Sequence, residues 1–446
     1  MQLFQQLLFI GILIGAGLLV FRRAVIIWKT IKLGHDEILT DKPAKRLGTV
    51  LRIAFAQKKM FDRPLAGCLH FLVYTGFILI NLEVLEIVLD GVLGTHRLLA
   101  PVLGRFYTWL IGFYEILAVG VIAACLLFLL RRQSGIVKRL SVERHRELSG
   151  WPSMDGRLIL VFEIVLMIAV LVMNAADLVL QERGVDHYAN TGDFLISSFL
   201  KPFLGGLRDG TLLAVERLAW WFHILGILAF ALFITYSKHL HILLAFPNTY
   251  FSRLNPKGEM TNMPEITREV RLMLGLEENS VQEATVEIGR FGAKDVTDLS
   301  WKNLLDAYSC TECGRCTSVC PANITGKLLS PRKIMMDTRD RLEEVGRNIR
   351  ANSGNFADDG RSLLGDYILD EEVLACTTCN ACVQECPILI NPLDIILQLR
   401  RYRVMDEAKA PGAWNMMFQN LETNQAPWKF SLADRYNWAE SINNKE

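Results

Sequence analysis

Hydrophobic residues along this chain fall into two regimes. Between residues 1 and 246 they form long runs, near 3–21, 65–90, 106–130, 158–180 and 212–236, separated by shorter polar stretches. At about 1.5 Å of rise per residue, each run is long enough as a helix to cross a hydrocarbon core of about 30 Å. The pattern predicts five transmembrane helices. Beyond Phe246-Pro247-Asn248 the apolar positions thin out to helical spacing, as in Leu369, Val373 and Leu374 or Leu393, Ile396 and Leu397, which reads as the core of a soluble helical domain. The expected fold is all-α: a membrane bundle over 1–246, a connector over 247–300 with Pro247, Pro256 and Pro264, a mainly helical domain over 301–410, and a tail over 411–446.

Composition sharpens this. With 51% hydrophobic and 21% charged residues among 446, the chain is too apolar for one soluble domain. The net charge of +1 hides a split, with 25 Lys/Arg against 18 Asp/Glu in residues 1–246 and 23 against 29 in the remainder. No nucleic-acid-binding balance is present. Loops 22–64 and 131–157 hold 11 and 7 Lys/Arg, against 2 in 91–105 and 3 in 181–211, so the positive-inside rule puts the N-terminus outside and the C-terminal half in the cytoplasm. The first run opens on uncharged Met1-Gln2-Leu3-Phe4 and is followed by Arg22-Arg23, the reverse of a cleaved signal peptide. It is expected to stay as an anchor in the cytoplasmic membrane.

Eight of the ten cysteines lie in Cys310-Thr-Glu-Cys313-Gly-Arg-Cys316-Thr-Ser-Val-Cys320-Pro321 and Cys376-Thr-Thr-Cys379-Asn-Ala-Cys382-Val-Gln-Glu-Cys386-Pro387. Each is C-x₂-C-x₂-C-x₃-C-P, the spacing of an iron–sulfur cubane loop whose fourth cysteine serves the other cluster. Two [4Fe–4S] clusters are expected, one on Cys310, Cys313, Cys316 and Cys386, the other on Cys376, Cys379, Cys382 and Cys320. Zinc would use paired C-x₂-C knuckles and leaves the x₃-C-P endings unexplained. Cys68 and Cys125, inside apolar runs, read as packing residues. The charged stretch with Arg339, Arg341, Glu343, Glu344, Arg347 and Arg350 reads as a solvated helix.

Histidines in membrane helices can supply both axial ligands of a b-type haem. His223 and His241 are 18 residues apart, five whole turns of one continuous helix, and His239 falls on another face. His70 and His241 fall at one depth and are expected to hold one haem b. His223 would hold a second, with His96 the nearest outside candidate for its partner. Ionisable residues inside the runs include Glu83, Glu86, Glu115, Asp177, Glu216 and Arg217. A quinone changes its proton content when it is reduced or oxidised, so Glu83, Glu86 and Asp177 are candidates for a quinone and proton site.

The first 246 residues resemble the membrane cytochrome b subunit of respiratory nitrate reductase and its relatives in heterodisulfide-reductase-type complexes. That resemblance implies five spans with ligands on helices two and five, His70 and His241 on the haem nearer the cytoplasm, and His223 on the outer one. The family's second helix-two histidine would fall where Ile80 and Asn81 stand. The second half, over roughly 300–410, resembles the dicluster subunit of heterodisulfide reductase and anaerobic glycerol-3-phosphate dehydrogenase complexes through both cysteine motifs and Leu393-Asp394-Ile395-Ile396-Leu397. The resemblance implies a partner on another chain: an iron–sulfur protein with cysteine-pair domains, or an electron-transferring flavoprotein.

Together these give a membrane electron-transfer subunit, a quinone-linked oxidoreductase component that relays electrons between a cytoplasmic partner and quinone. A rival reading is a non-enzymatic anchor and relay without its own quinone site; a third is a redox sensor with the tail as output. Trp414, Phe418, Trp428, Phe430, Tyr436 and Trp438 in that tail suggest partner docking, with packing back on the chain's own domain as the favoured alternative.

Overall fold

The computed structural model describes residues 2–256, 258–276 and 290–443. It is 70% helical and has no strand among the described residues. The long apolar runs form α1 (Gln2–Ile31), α2 (Pro64–Leu93), α3 (Arg105–Gln133), α4 (Trp151–Glu182) and α5 (Asp209–Ile234). All five are long and apolar enough to cross a membrane. Half of the apolar window of α4 is buried against 6% for α1, so α4 is central and α1 peripheral. Leu3, Phe4, Leu18 and Phe21 of α1 and Trp109 of α3 face outward, the arrangement lipid favours, while Ile80, Ile111, Val121, Leu166 and Met167 pack inside.

The fifth helix is not continuous to His241, as the 18-residue spacing had suggested. α5 ends at Ile234, and a 3₁₀ turn at Lys238–Leu240 precedes α6 (His241–Tyr250). Buried Asp155 of α4 causes the break: it accepts from Ser237 Oγ at 2.6 Å and from the Lys238 amide at 3.1 Å. Ser237 then caps the turn by accepting from the His239 amide. His223 and His241 therefore sit on separate helices.

The second half is built on α7 (Trp301–Ser309), α8 (Pro331–Ala351) and α9 (Pro392–Arg401). Ser300, Ser330 and Asn391 accept from backbone amides at the three N-termini, and the two later helices carry Pro at the first position. Every residue of α7 is buried. One hydrophobic core runs across the expected boundary at 246, joining Ile27, Ile31, Phe230 and Ile234 to Leu299, Leu304, Ile334, Leu342 and Ile395. At the seam the His35 amide donates to the Leu299 carbonyl at 2.9 Å. A Cβ on neighbouring Gly34 would lie 2.6 Å from that carbonyl, so only glycine lets the two backbones approach.

Two expectations are corrected. The charged stretch of α8 is solvated on one side only: Arg347 and Arg350 are exposed, but Arg341 is fully buried between Asp295 (2.7 Å) and Asp359 (2.6 Å), Glu343 pairs with Arg23 of α1 at 2.6 Å, and Arg339 pairs with Glu312 at 2.9 Å. The tail does not pack back either. Its helix α10 (Gly412–Asn424) buries no residue, and Trp428, Phe430, Tyr436 and Trp438 are exposed. Residues 257 and 277–289 of the connector and 444–446 of the tail lie outside the described residues.

Candidate functional site: cysteine loops, histidine pairs and a polar cavity

The duplicated cysteine motif is duplicated in conformation. Glu312 and Thr378, each two residues past the first cysteine, have φ of 54° and 55°; Gly314 and Asn380, just past the second, have φ of 70° and 60°. These left-handed turns curl each loop, and short helices Arg315–Ser318 and Ala381–Glu385 follow. Gly314 also makes room for the Arg332 guanidinium, which would lie 2.5 Å from a Cβ there. Cys310, Cys313 and Cys316 line one cavity together with Cys386 from the other motif. In the second loop, Cys320 joins Cys376, Cys379 and Cys382 as an electrostatic neighbour.

Burial pushes the Cys310, Cys382 and Cys386 thiols up to about 12. Sulfur donors this buried stay protonated unless a cation takes the proton's place, which is what metal ligation does. Amide donors already point at sulfur, from Thr378 to Cys376 (3.4 Å) and from Ile390 to Cys386 (3.3 Å). Among the described residues no three His, Cys, Asp or Glu groups converge as closely as a single ion requires; the first set lines a cavity instead. Donor set and cradle fit iron–sulfur clusters.

The first loop is clamped to the membrane half. Lys59 donates to the Cys386 carbonyl at 2.7 Å, Arg315 to the Lys59 carbonyl at 3.0 Å, and Arg139 to the Cys313 carbonyl at 3.0 Å. Lys238 pairs with Glu312 at 2.5 Å, and Arg63 with Glu385 at 2.6 Å. Just behind this seam the His70 and His241 rings lie 6.4 Å apart, centre to centre. His70 Nδ1 is 3.0 Å from Gln57 Oε1, and His241 Nδ1 is 3.0 Å from the Lys238 carbonyl. Nε2 is the available atom on each ring. The His239 ring packs on Phe230 at 5.5 Å and meets the His241 ring edge-on at 5.4 Å.

His223 is buried, with Nδ1 3.0 Å from the Leu166 carbonyl and Nε2 lacking any hydrogen-bond partner. It lines a cavity of about 60 Å³ with Ile80, Asn81, Glu163 and Met167. Glu163 is absent from the candidates drawn from sequence, although a carboxyl inside an apolar run was the available signal. His96 is not brought to His223. It lines a different cavity, because the loop after α2 folds over the ends of α4 and α5.

That other cavity, about 410 Å³, gathers Glu83, Glu86, His96, Arg97, Asp177, Tyr188 and Glu216 at one end of the bundle. Arg97 holds Asp177 at 2.9 and 2.8 Å and Asn174 at 2.8 Å. Glu86 accepts from the Leu99 amide at 2.9 Å and from Tyr107 at 2.8 Å. Glu83 lies 3.9 Å from Arg97 and keeps one oxygen unpartnered. Arg97 and Tyr188, not foreseen from sequence, come from loops whose polarity gave no signal of burial.

Comparison with known proteins bears on these sites. A 4Fe-4S dicluster domain family matches residues 309–390, which hold all eight motif cysteines. A probable iron-sulfur-binding oxidoreductase, FadF, of Bacillus subtilis is 30% identical over 93% of this chain and 58% of its own length. The EtfAB:quinone oxidoreductase of Syntrophomonas wolfei is 28% identical over 98% of this chain and 59% of its own length. One subunit of the ferredoxin/F(420)H(2)-dependent CoB-CoM heterodisulfide reductase of Methanosarcina acetivorans is 34% identical over 24% of this chain and 52% of its own length. The chain thus spans under three-fifths of the first two relatives. No solved structure matches it. This is an iron–sulfur protein with a 4Fe-4S dicluster domain, homologous to iron–sulfur oxidoreductases such as FadF and, in that domain, to a heterodisulfide reductase subunit.

Proposed function

We propose that this chain carries electrons between a cytoplasmic redox partner and a membrane quinone. Cys310, Cys313, Cys316 and Cys386 would hold one [4Fe–4S] cluster, and Cys376, Cys379, Cys382 and Cys320 the other. Clusters and haems supply one-electron transfer. The protein's part is to fix their order. Cys379 is exposed, so the second set faces the partner, while the first set is clamped on the membrane half beside His70 and His241.

The observation that carries the reading is that histidine pair. The two rings lie 6.4 Å apart, close enough that His70 and His241 would both hold one haem iron. Each Nδ1 is tied to an oxygen, the arrangement that orients ligating histidines and frees Nε2. A haem b on His70 and His241 would continue the relay. His223, with its unpartnered Nε2, is the ligand candidate for a second, whose other ligand would come from the residues of its cavity. The polar cavity beyond it, with Glu83, Glu86 and Asp177, supports a quinone site.

The relatives' names, an EtfAB:quinone oxidoreductase and a heterodisulfide reductase, support an electron-transferring flavoprotein or a cysteine-pair iron–sulfur protein as partner. The Lys/Arg-rich loops 22–64 and 131–157 support a cytoplasmic cluster domain. A pyridine haemochrome assay with iron and sulfide quantification on the detergent-purified chain tests this. About eight cluster irons with one or two b haems supports the relay. Filled clusters without haem would refute the cytochrome and leave an anchor without its own quinone site.

A further inference from the structure

Of the three carboxyls expected to handle protons in the large cavity, two are already committed. Asp177 takes Arg97 on one oxygen (2.9 and 2.8 Å) and Gln181 (3.1 Å) and His96 Nε2 (3.2 Å) on the other. A carboxylate with four donors, two of them from a buried guanidinium, is a fixed anion, not a group that trades protons. Glu86 is spent on the Leu99 amide and Tyr107.

His96 is left with an atom to use. Accepting from Nε2–H, Asp177 fixes the tautomer that leaves a lone pair on Nδ1. That Nδ1 is buried without a hydrogen-bond partner, and the side chain is 9% exposed. The ring is held edge-on to Tyr188 at 4.8 Å, and Tyr188 is itself fixed by donating to Glu216 at 2.8 Å. An oriented imidazole in a cavity wall, with one nitrogen on a buried carboxylate and the other left without a partner, is the arrangement of a general base.

We infer that His96, oriented by Asp177, is the catalytic residue that exchanges a proton with a quinone oxygen in this cavity. The inference rests on the quinone reading above. In quinol oxidation, a hydroxyl donates to Nδ1; its O–H bond breaks, the proton passes to Nδ1, and one electron leaves to the b-type haem or iron–sulfur cluster of the relay. Asp177 stabilises the imidazolium until the proton passes to water at the cavity mouth. The second hydroxyl gives up its proton and electron likewise, with Glu83, whose Oε1 is buried without a hydrogen-bond partner in the same cavity wall, as the acceptor among the described residues. Two electrons and two protons leave, the product is quinone, and reduction is the reverse.

The test uses the full chain in nanodiscs with duroquinone and duroquinol as probes. Trp220 and Trp221 line the cavity, so duroquinone binding is read from tryptophan quenching, independently of electron transfer. H96Q is expected to keep half-saturation within about threefold of the parent, while the kcat for duroquinol-driven bleaching of the cluster absorption falls about 10²–10⁴-fold. Should H96Q fail to fold, H96F keeps the ring packed on Tyr188 and is read the same way. Binding kept with kcat within threefold would overturn the assignment of His96 alone. Quenching absent from the parent, or unchanged in W220F/W221F, would take down the quinone site and this inference with it.

Discussion

Glu312 joins the two halves at a buried point, and its charge can be removed without changing its shape. It lies between Cys310 and Cys313, its side chain is only 3% exposed, and it accepts from Lys238 at 2.5 Å and Arg339 at 2.9 Å. Lys238 lies beside Ser237 and three residues before His241, so the pair ties the cluster loop to the histidine loop. E312Q leaves Lys238 with the Pro152 carbonyl at 2.6 Å and Asp155 at 4.0 Å, and Arg339 with Asp340 at 3.3 Å. Breaking a buried pair costs about 3–5 kcal/mol, and these residual partners put the expected loss at the lower end, about 3 kcal/mol. That equals about a hundredfold rise in the open population of the seam. Hydrogen exchange of amides 235–241, followed by mass spectrometry in detergent, reads it directly. In a cycle with K238M, the double variant should recover about 2 kcal/mol of the summed losses. A change under fivefold in E312Q, or strict additivity in the cycle, would show that the shared hydrophobic core alone holds the halves together.

Three further outcomes are expected. H241A and H70A should each lose one b haem per chain in the pyridine haemochrome assay while H239A keeps it, since the His239 ring packs on Phe230 and meets His241 edge-on; equal loss in all three would mark indirect damage. The crossed ligand sets predict that C310S/C386S retains about four irons, whereas C376S/C386S retains about none; the reverse would mean that each motif closes its own cluster. The Arg341 hydrogen bonds hold Asp359 below the ordinary carboxylate range, so its stabilising contribution is complete above about pH 4 and is lost as pH falls through the folded value. R341M should flatten that part of the acid-unfolding curve, and an unchanged curve would remove Asp359 from the account.

The five helices were legible because crossing hydrocarbon demands one long apolar run per helix, a constraint written locally in the sequence. The two cysteine loops were equally legible, because a cubane loop is a short motif whose spacing sets its own curl. The polar residues are a different matter. From sequence, Arg339 to Arg350 looks like a solvated face, yet Arg341 is buried and Glu343 half-buried by contacts with Asp295 and Arg23, dozens to hundreds of positions away. The tail shows the opposite error, its aromatics remaining exposed although apolar character favoured burial.

The histidines divide along the same line. Depth along an apolar helix is a local property, and it put His70 level with His241, whose rings lie 6.4 Å apart in the folded chain. The helix break before His241 follows from Asp155, 82 residues from Ser237, and no periodicity could anticipate it. Whether Asp177 is a free acid or an anion fixed by Arg97 depends on how a loop folds over two helix ends. The sequence by itself determined the spans and the cluster loops, because hydrophobic transfer and ligand spacing act over neighbouring residues. Only the tertiary structure decided which charges are paired, which histidine nitrogen is left open, and how the cluster loop meets the membrane helices, because the partners of a buried polar atom come from anywhere in the chain.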